Sequence, residues 1–205
     1  MVRRGDPSRL VAALTFDAGS NAGYTSQILD TLAVNGIHAS FGLTGRWVEQ
    51  NPDLTRRIAS EGHHLVNHSF DHPSFTGRST GESALNVAAR SDQLARADVA
   101  IRAATSRSSL PWFRPPYGDY DDSVVVDVAA DGYGYLVLWT VDSLGWKGVP
   151  TQQIVERCLD NAVPGAIFLF HVGSASQDGP ALQAIIDGLR ARGYAFATVA
   201  GLLGT

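Results

Sequence analysis

Short apolar runs alternate along this chain with stretches of helical spacing, and that alternation limits the folds open to it. Residues 10–16, 39–44, 64–67, 112–114, 135–139, 166–170 and 194–198 read as seven strands. Several of them, such as Leu10-Val11-Ala12-Ala13-Leu14-Thr15-Phe16 and Ala166-Ile167-Phe168-Leu169-Phe170, are almost wholly apolar. Continuous apolar runs fit strands covered on both faces, as in parallel sheets. Between them, Ile28, Leu29, Leu32 and Ala33 follow Thr25 at helical spacing and stop at Asn35-Gly36. Asn51-Pro52-Asp53 opens a second helix with proline in its first turn, and residues 81–105, 122–130, 151–161 and 180–192 complete the series. Strands alternating with helices predict βα units in one parallel sheet, an α/β fold closed or nearly closed into a barrel.

Polar residues fall just after the strands: Asp17, His68, Arg114, Asp142 and His171. The C-terminal ends of parallel strands share one face, where barrel enzymes keep their sites. Five such placements predict one convergent cluster. The stretch His63-His64-Leu65-Val66-Asn67-His68-Ser69-Phe70-Asp71-His72-Pro73 holds four of the six histidines. If residues 68–72 form a helical turn, His68 and His72 project from one side, close enough to share a zinc ion. Pro73 ends that turn. His38, His63 and His64 read as structural, and Trp47 and Trp139 as core.

At 205 residues, 44% hydrophobic and 18% charged, the chain fits a single domain over residues 1–205 with a substantial core. A net charge of −4, one lysine (Lys147) and scattered arginines argue against a nucleic-acid surface. No apolar run approaches the length of a membrane span. The lone Cys158 excludes an intrachain disulfide and reads as a buried helical thiol. Met1 leads into Val2-Arg3-Arg4-Gly5-Asp6, so no signal peptide is expected within these residues. Oligomeric state is not readable from the chain.

In order and spacing the polar stretches resemble the motifs of carbohydrate esterase family 4, the NodB-homology polysaccharide deacetylases. Thr15-Phe16-Asp17-Ala18-Gly19 resembles the first motif and His68-Ser69-Phe70-Asp71-His72-Pro73 the second. Arg114-Pro115-Pro116-Tyr117 resembles the third, Val141-Asp142-Ser143-Leu144-Gly145-Trp146 the fourth and Leu169-Phe170-His171 the fifth. The likeness covers nearly the whole chain. It implies a distorted (β/α) barrel of about seven parallel strands and a metal-dependent deacetylase. By position, His68 and His72 resemble metal ligands, Asp17 the general base, Arg114 the residue orienting that base, and His171 the general acid. The N–H near Tyr117 would hold the oxyanion, while Trp146 and Leu169 resemble walls of the acetyl pocket. A divalent metal, zinc by preference, would supply the Lewis acid.

Two positions depart from the family pattern. Ala18 stands where a second acidic residue usually provides the third metal ligand. Asp17 itself, Asn21 or water could take that place. Gly145 stands before Trp146, where an acid often orients the catalytic histidine, and Asp142 is the candidate to replace it. The resemblance implies removal of acetyl groups from an N-acetylglucosamine-containing polysaccharide or oligosaccharide, peptidoglycan or chitin-type, outside the cytoplasm or at the cell envelope. The alternatives are O-deacetylation of acetylated xylan, hydrolysis of a small amide, and a weakened relative that binds glycan without turnover.

Overall fold

The computed structural model describes residues 1–205. In chain order its first elements are β1 (Val11–Ala18), α1 (Thr25–Val34), β2 (Ser40–Leu43), α2 (Gly45–Gln50), α3 (Pro52–Ser60) and β3 (His64–Asn67). There follow α4 (Val87–Thr105), β4 (Trp112–Phe113), α5 (Asp122–Ala130), β5 (Tyr135–Leu136) and β6 (Val141–Asp142). The chain ends with α6 (Thr151–Asp160), β7 (Ile167–His171), α7 (Asp178–Ala191), β8 (Ala195–Phe196) and α8 (Val199–Leu203).

The strands run in the order β5-β4-β3-β2-β1-β7-β6, every ladder is parallel, and β8 pairs with the start of β1. This is the expected distorted (β/α) barrel. Its seam lies between β5 and the β6–β7 side, and the N-terminal residues strap across it. Val2 bridges Val137 in parallel and Arg4 bridges Ala166 in antiparallel fashion. Val2 N–H donates to the Leu136 carbonyl and the Leu138 N–H to the Val2 carbonyl, both at 2.8 Å.

Alternation along each strand divides the core into layers. Leu14, Phe16 and Ala18 of β1 face outwards with Phe168 and Phe170 of β7, under an apolar shell from α1, α2, α3, α4, α6 and α7. Ala13, Val66, Trp112 and Ile167 face inwards, where Val199 and Leu202 of α8 pack against them. Cys158 lies in the outer core, and burial pushes its thiol up. It is structural, as its apolar neighbours indicate.

Four sequence expectations change. The 81–105 helix begins only at Val87, because Gly77 and Gly81 take positive φ and the Asn86 side chain caps Ala89 N–H. The 135–139 strand stops at Leu136, since residues 137 and 138 pair with Val2 instead. α2 was not anticipated; Thr44 caps it by accepting from Trp47 N–H. The last strand shrinks to Ala195–Phe196 because Thr198 caps α8.

Phe16 stacks between Phe41 and Phe170, each ring pair 5.3 Å apart, and is fully buried. Phe16→Ala is therefore expected to destabilise the fold by about 3–5 kcal/mol. Urea unfolding should show a lower midpoint with unchanged slope. A loss below about 1 kcal/mol would contradict this central packing.

Candidate active site

Strand parity brings the predicted residues together. Since Phe16 and Ala18 face the outer shell, Asp17 points into the barrel mouth. The same alternation turns His68 after Val66, Arg114 after Trp112, Asp142 after Val141, and Leu169 and His171 after Ile167 inwards. Asp17 and His171 are register partners on adjacent strands. A cleft of about 630 Å³ is lined by Asp17, His68, His72, Tyr117, Asp142, Trp146, Leu169 and His171. Arg114 lies beneath it, 1% exposed. The largest groove, about 780 Å³ between α2 and α4, lies elsewhere. Its arginines are engaged: Arg46 and Arg56 with Asp71 and Asp53, Arg96 with Asp92.

The Arg114 guanidinium donates from Nη1 to Asp17 Oδ1 at 2.8 Å and from Nε to the Val137 carbonyl at 3.3 Å. Burial alone would raise the Asp17 carboxyl, but Arg114, His68 and His171 outweigh it and hold Asp17 below the ordinary carboxylate range. The carboxylate is thus ionised, with Oδ2 turned towards His68 Nε2 at 3.4 Å. His68 Nδ1 lies 2.8 Å from the Arg114 carbonyl. A carbonyl only accepts, so the proton is on Nδ1 and the Nε2 lone pair is left facing Asp17. Burial lowers the His68 imidazole, and burial with nearby His68 takes His72 down to about 3, so both rings are neutral near pH 7.

His68 and His72 do meet, with ring centroids 4.7 Å apart, but not on a helical turn. Residues 68–73 are irregular, and Ser69 (φ 66°) and His72 (φ 63°) are left-handed. The Ser69 hydroxyl accepts from His72 N–H, and Asn67 Oδ1 from Ser69 N–H, which hold the bend. Tyr117 (φ 60°) and Leu144 (φ 60°) are also left-handed. Non-glycine residues in this region cost about 1–3 kcal/mol each and persist where surrounding contacts enforce them. Four of the chain's five such residues are in the loops that carry the site.

Asp142 lines the cleft but its carboxylate serves its own turn. Oδ1 accepts Leu144 N–H at 2.8 Å and Oδ2 faces Trp146 Nε1 at 3.4 Å. The carboxylate closest to His171 belongs to Asp178, the first residue of α7, which is fully buried and accepts His171 N–H at 2.8 Å. Burial lowers the His171 imidazole, but Asp178 and Asp17 more than compensate and leave it raised above its usual value. Asp178 was missed in the sequence, although an acid opening a helix seven residues after His171 was a visible signal. Trp139, read as core, is a half-buried wall of the cleft with its ring 5.8 Å from the Arg114 guanidinium. Ser79, also missed, reaches the rim because Asp119 accepts from its N–H and hydroxyl.

Residues 4–136 match the polysaccharide deacetylase family. The peptidoglycan-N-acetylglucosamine deacetylase of Bacillus cereus is 30% identical over 204 residues, which are 98% of this chain and 71% of that protein. The chain belongs to the polysaccharide deacetylase family. The chitooligosaccharide deacetylase of Sinorhizobium fredii is 32% identical over 196 residues, 88% of this chain and 86% of that one. Among solved structures, wild-type BA3943 of Bacillus anthracis, a CE4 family pseudoenzyme, superposes with a TM-score of 0.88. It is 31% identical over 98% of this chain and 68% of that one.

Ala18 and Gly145 are the two positions at which the sequence reading expects a departure from the family motifs, and the structure shows what surrounds each. Ala18 is fully buried in the outer core, on the side opposite Asp17. Asn21 is tied to Ser174, donating to its hydroxyl at 3.1 Å and accepting its N–H at 3.0 Å. Of the side-chain oxygens proposed to stand beside the two histidines, that leaves Asp17. Gly145 is buried against Asp178 and Ser176.

Arg114→Leu would strand the Asp17 carboxylate in a buried site, and should cost about 3–5 kcal/mol of stability. In an Asp17→Asn background the same change should cost clearly less. A double-mutant cycle in urea reads the coupling; additive losses would mean that the pair does not support itself.

Proposed function

We propose that this chain is a metal-dependent hydrolase that removes acetyl groups from an N-acetylglucosamine-containing glycan, peptidoglycan or chitin-type. One observation carries the reading: an ionised, arginine-held carboxylate stands beside two neutral imidazoles in a cleft where the adjacent strand end presents a third. The relatives named for peptidoglycan and chitooligosaccharide deacetylation support the substrate class. So does the rim, where Tyr117 and Trp146 are half exposed and flank an open cleft rather than a closed small-molecule pocket.

The donor chemistry fits zinc. Two ligands each about 2.0–2.1 Å from a tetrahedral ion lie about 3.4 Å apart, and His68 Nε2 and Asp17 Oδ2 are separated by 3.4 Å. The His68 tautomer offers the correct lone pair, because Nδ1–H is fixed by the Arg114 carbonyl. No group of three His, Cys, Asp or Glu side chains is arranged to enclose an ion. His68 and Asp17, already at ligand separation, would hold it as the preformed pair, with His72 brought onto it on binding and solvent completing the shell. Held there, such an ion would supply a Lewis acid for the acetyl carbonyl and would lower the pKa of a water to about 7.

The remaining steps belong to the protein. With Oδ1 occupied by Arg114, Oδ2 is the one Asp17 oxygen free either to hold the ion or to take the proton of the attacking water, and it acts as the base only while it does not coordinate. The Tyr117 N–H donates to the oxygen on which negative charge develops. The C–N bond then breaks, and His171, whose pKa Asp178 and Asp17 hold above its usual value, gives its Nε2 proton to the leaving amine. Acetate and the free amino sugar are the products. Leu169, Trp139 and Trp146 wall the space for the acetyl methyl. Such a substrate places the protein at the cell envelope or outside the cell, and none of its helices is long and apolar enough to cross a membrane.

The similarity to a CE4 family pseudoenzyme favours a second reading, a glycan binder without turnover, and so does the lack of a second acid next to Asp17, where Ala18 faces the outer core. Acetate release from chitooligosaccharides and peptidoglycan, with zinc content measured alongside, decides between them. The hydrolase reading expects turnover lost with a chelator and restored by zinc. It also expects losses of about 10²-fold or more for Asp17→Asn and His68→Ala. Bound zinc with no acetate from any acetylated glycan would establish the binder instead.

A further inference from the structure

We infer that Asp178 is the positioning residue for His171, and that Gly145 is a glycine in order to leave room for it. What His171 does rests on the hydrolase reading above; how it is held rests on geometry alone.

The His171 ring has one buried nitrogen, Nδ1, and no hydrogen-bond partner reaches it. The nearest acidic oxygen is Asp178 Oδ2, 3.8 Å away, which already accepts the His171 backbone N–H at 2.8 Å. Asp178 is 0% exposed, and its other oxygen, Oδ1, is also without a partner. A sealed carboxylate with a bare oxygen is costly, and the backbone bond alone does not require it, since serine or asparagine could accept the same N–H. Its position at the start of the 14-residue α7 favours a negative charge. The neighbouring acids have other work: Asp142 holds the turn to Trp146, and Asp17 faces Arg114 and His68. Asp178 is the acid behind Nδ1. A proton held there by the carboxylate leaves Nε2 directed at the cleft.

Gly145 supplies the independent observation. Its φ is outside the left-handed region, so the backbone does not demand glycine. Space does. A Cβ at residue 145 would lie 2.6 Å from both Asp178 Cγ and Ser176 Oγ, and would overlap Asp178 Oδ1. Positions 145 and 178 thus share one volume, which only one side chain can fill. The acid behind the histidine has been delivered from the start of α7 instead of from the turn before Trp146.

The test compares wild type, Asp178→Ser and the exchange variant Gly145→Asp/Asp178→Ser. Nitrogen-15 NMR of labelled histidine reads which ring nitrogen of neutral His171 carries the proton. The expected wild-type form is protonated at Nδ1; in Asp178→Ser this preference should be lost, and kcat should fall tenfold or more with KM within twofold. The exchange variant should recover the Nδ1–H form and most of the lost turnover, whereas Gly145→Asp alone, which keeps both acids in one space, should lower the unfolding midpoint. Should Asp178→Ser not fold, Asp178→Asn keeps the shape and is read in the same two ways. A folded variant with unchanged His171 signals and kcat within twofold of wild type would overturn the assignment. If the wild type releases no acetate, the hydrolase reading falls, and the NMR comparison still decides the role of Asp178.

Discussion

A guanidinium and a carboxylate, both sealed from water, meet at the mouth of the barrel where Arg114 Nη1 donates to Asp17 Oδ1 at 2.8 Å. Neither charge would be tolerated there alone. Together they tie the end of β1 to the segment after β4. The remaining Arg114 donors reach the carbonyls of Val137 and Leu138, at 3.3 and 3.5 Å, next to the seam strapped by Val2. The Arg114 carbonyl in turn accepts a hydrogen bond from His68 Nδ1–H. One residue therefore keeps Asp17 charged, sets the His68 tautomer and braces the closure of the sheet. The chemistry proposed for the cleft depends on all three.

The scaffold does this with little freedom left over. Strand parity sends Phe16, Phe41 and Phe170 into the outer core, and their stacking fixes β1 and β7, whose next residues, Asp17 and His171, carry the site. Beyond the strand ends the chain must bend sharply to bring His72, Tyr117 and Trp146 over the cleft. Left-handed Ser69, His72, Tyr117 and Leu144 make those bends. The rigid sheet beneath is what holds such backbone in place.

Much of this was legible in the sequence because it follows from period and position. Continuous apolar runs announce a parallel sheet, and a polar residue after each run announces a common rim; residues 17, 68, 114, 142 and 171 needed no more than that. The motif resemblance then assigned chemistry to them. What could not be read depends on contacts between segments distant in the chain. Residues 2–4 carry no strand pattern of their own and join the sheet by bridging 137 and 166. The HxxxH spacing looks helical, yet side chains of Asn67 and Ser69 capture the backbone and bend it otherwise. Asp142 was the visible candidate behind His171, but its oxygens are drawn into the local turn. Asp178 takes that place because α7 folds back against residue 145, a contact no local pattern reports. Trp139 looked like core for the same reason: only the fold shows that one of its faces borders the cleft.

The central proposal is that His68, His72 and Asp17 together bind one divalent cation. A crystal soaked in zinc and recorded at the zinc absorption edge tests it most directly. The account predicts one anomalous peak in the cleft, about 2.0–2.2 Å from His68 Nε2, an imidazole nitrogen of His72 and an Asp17 oxygen. Zinc bound without His68, or a cleft empty of metal at saturating zinc, would contradict it.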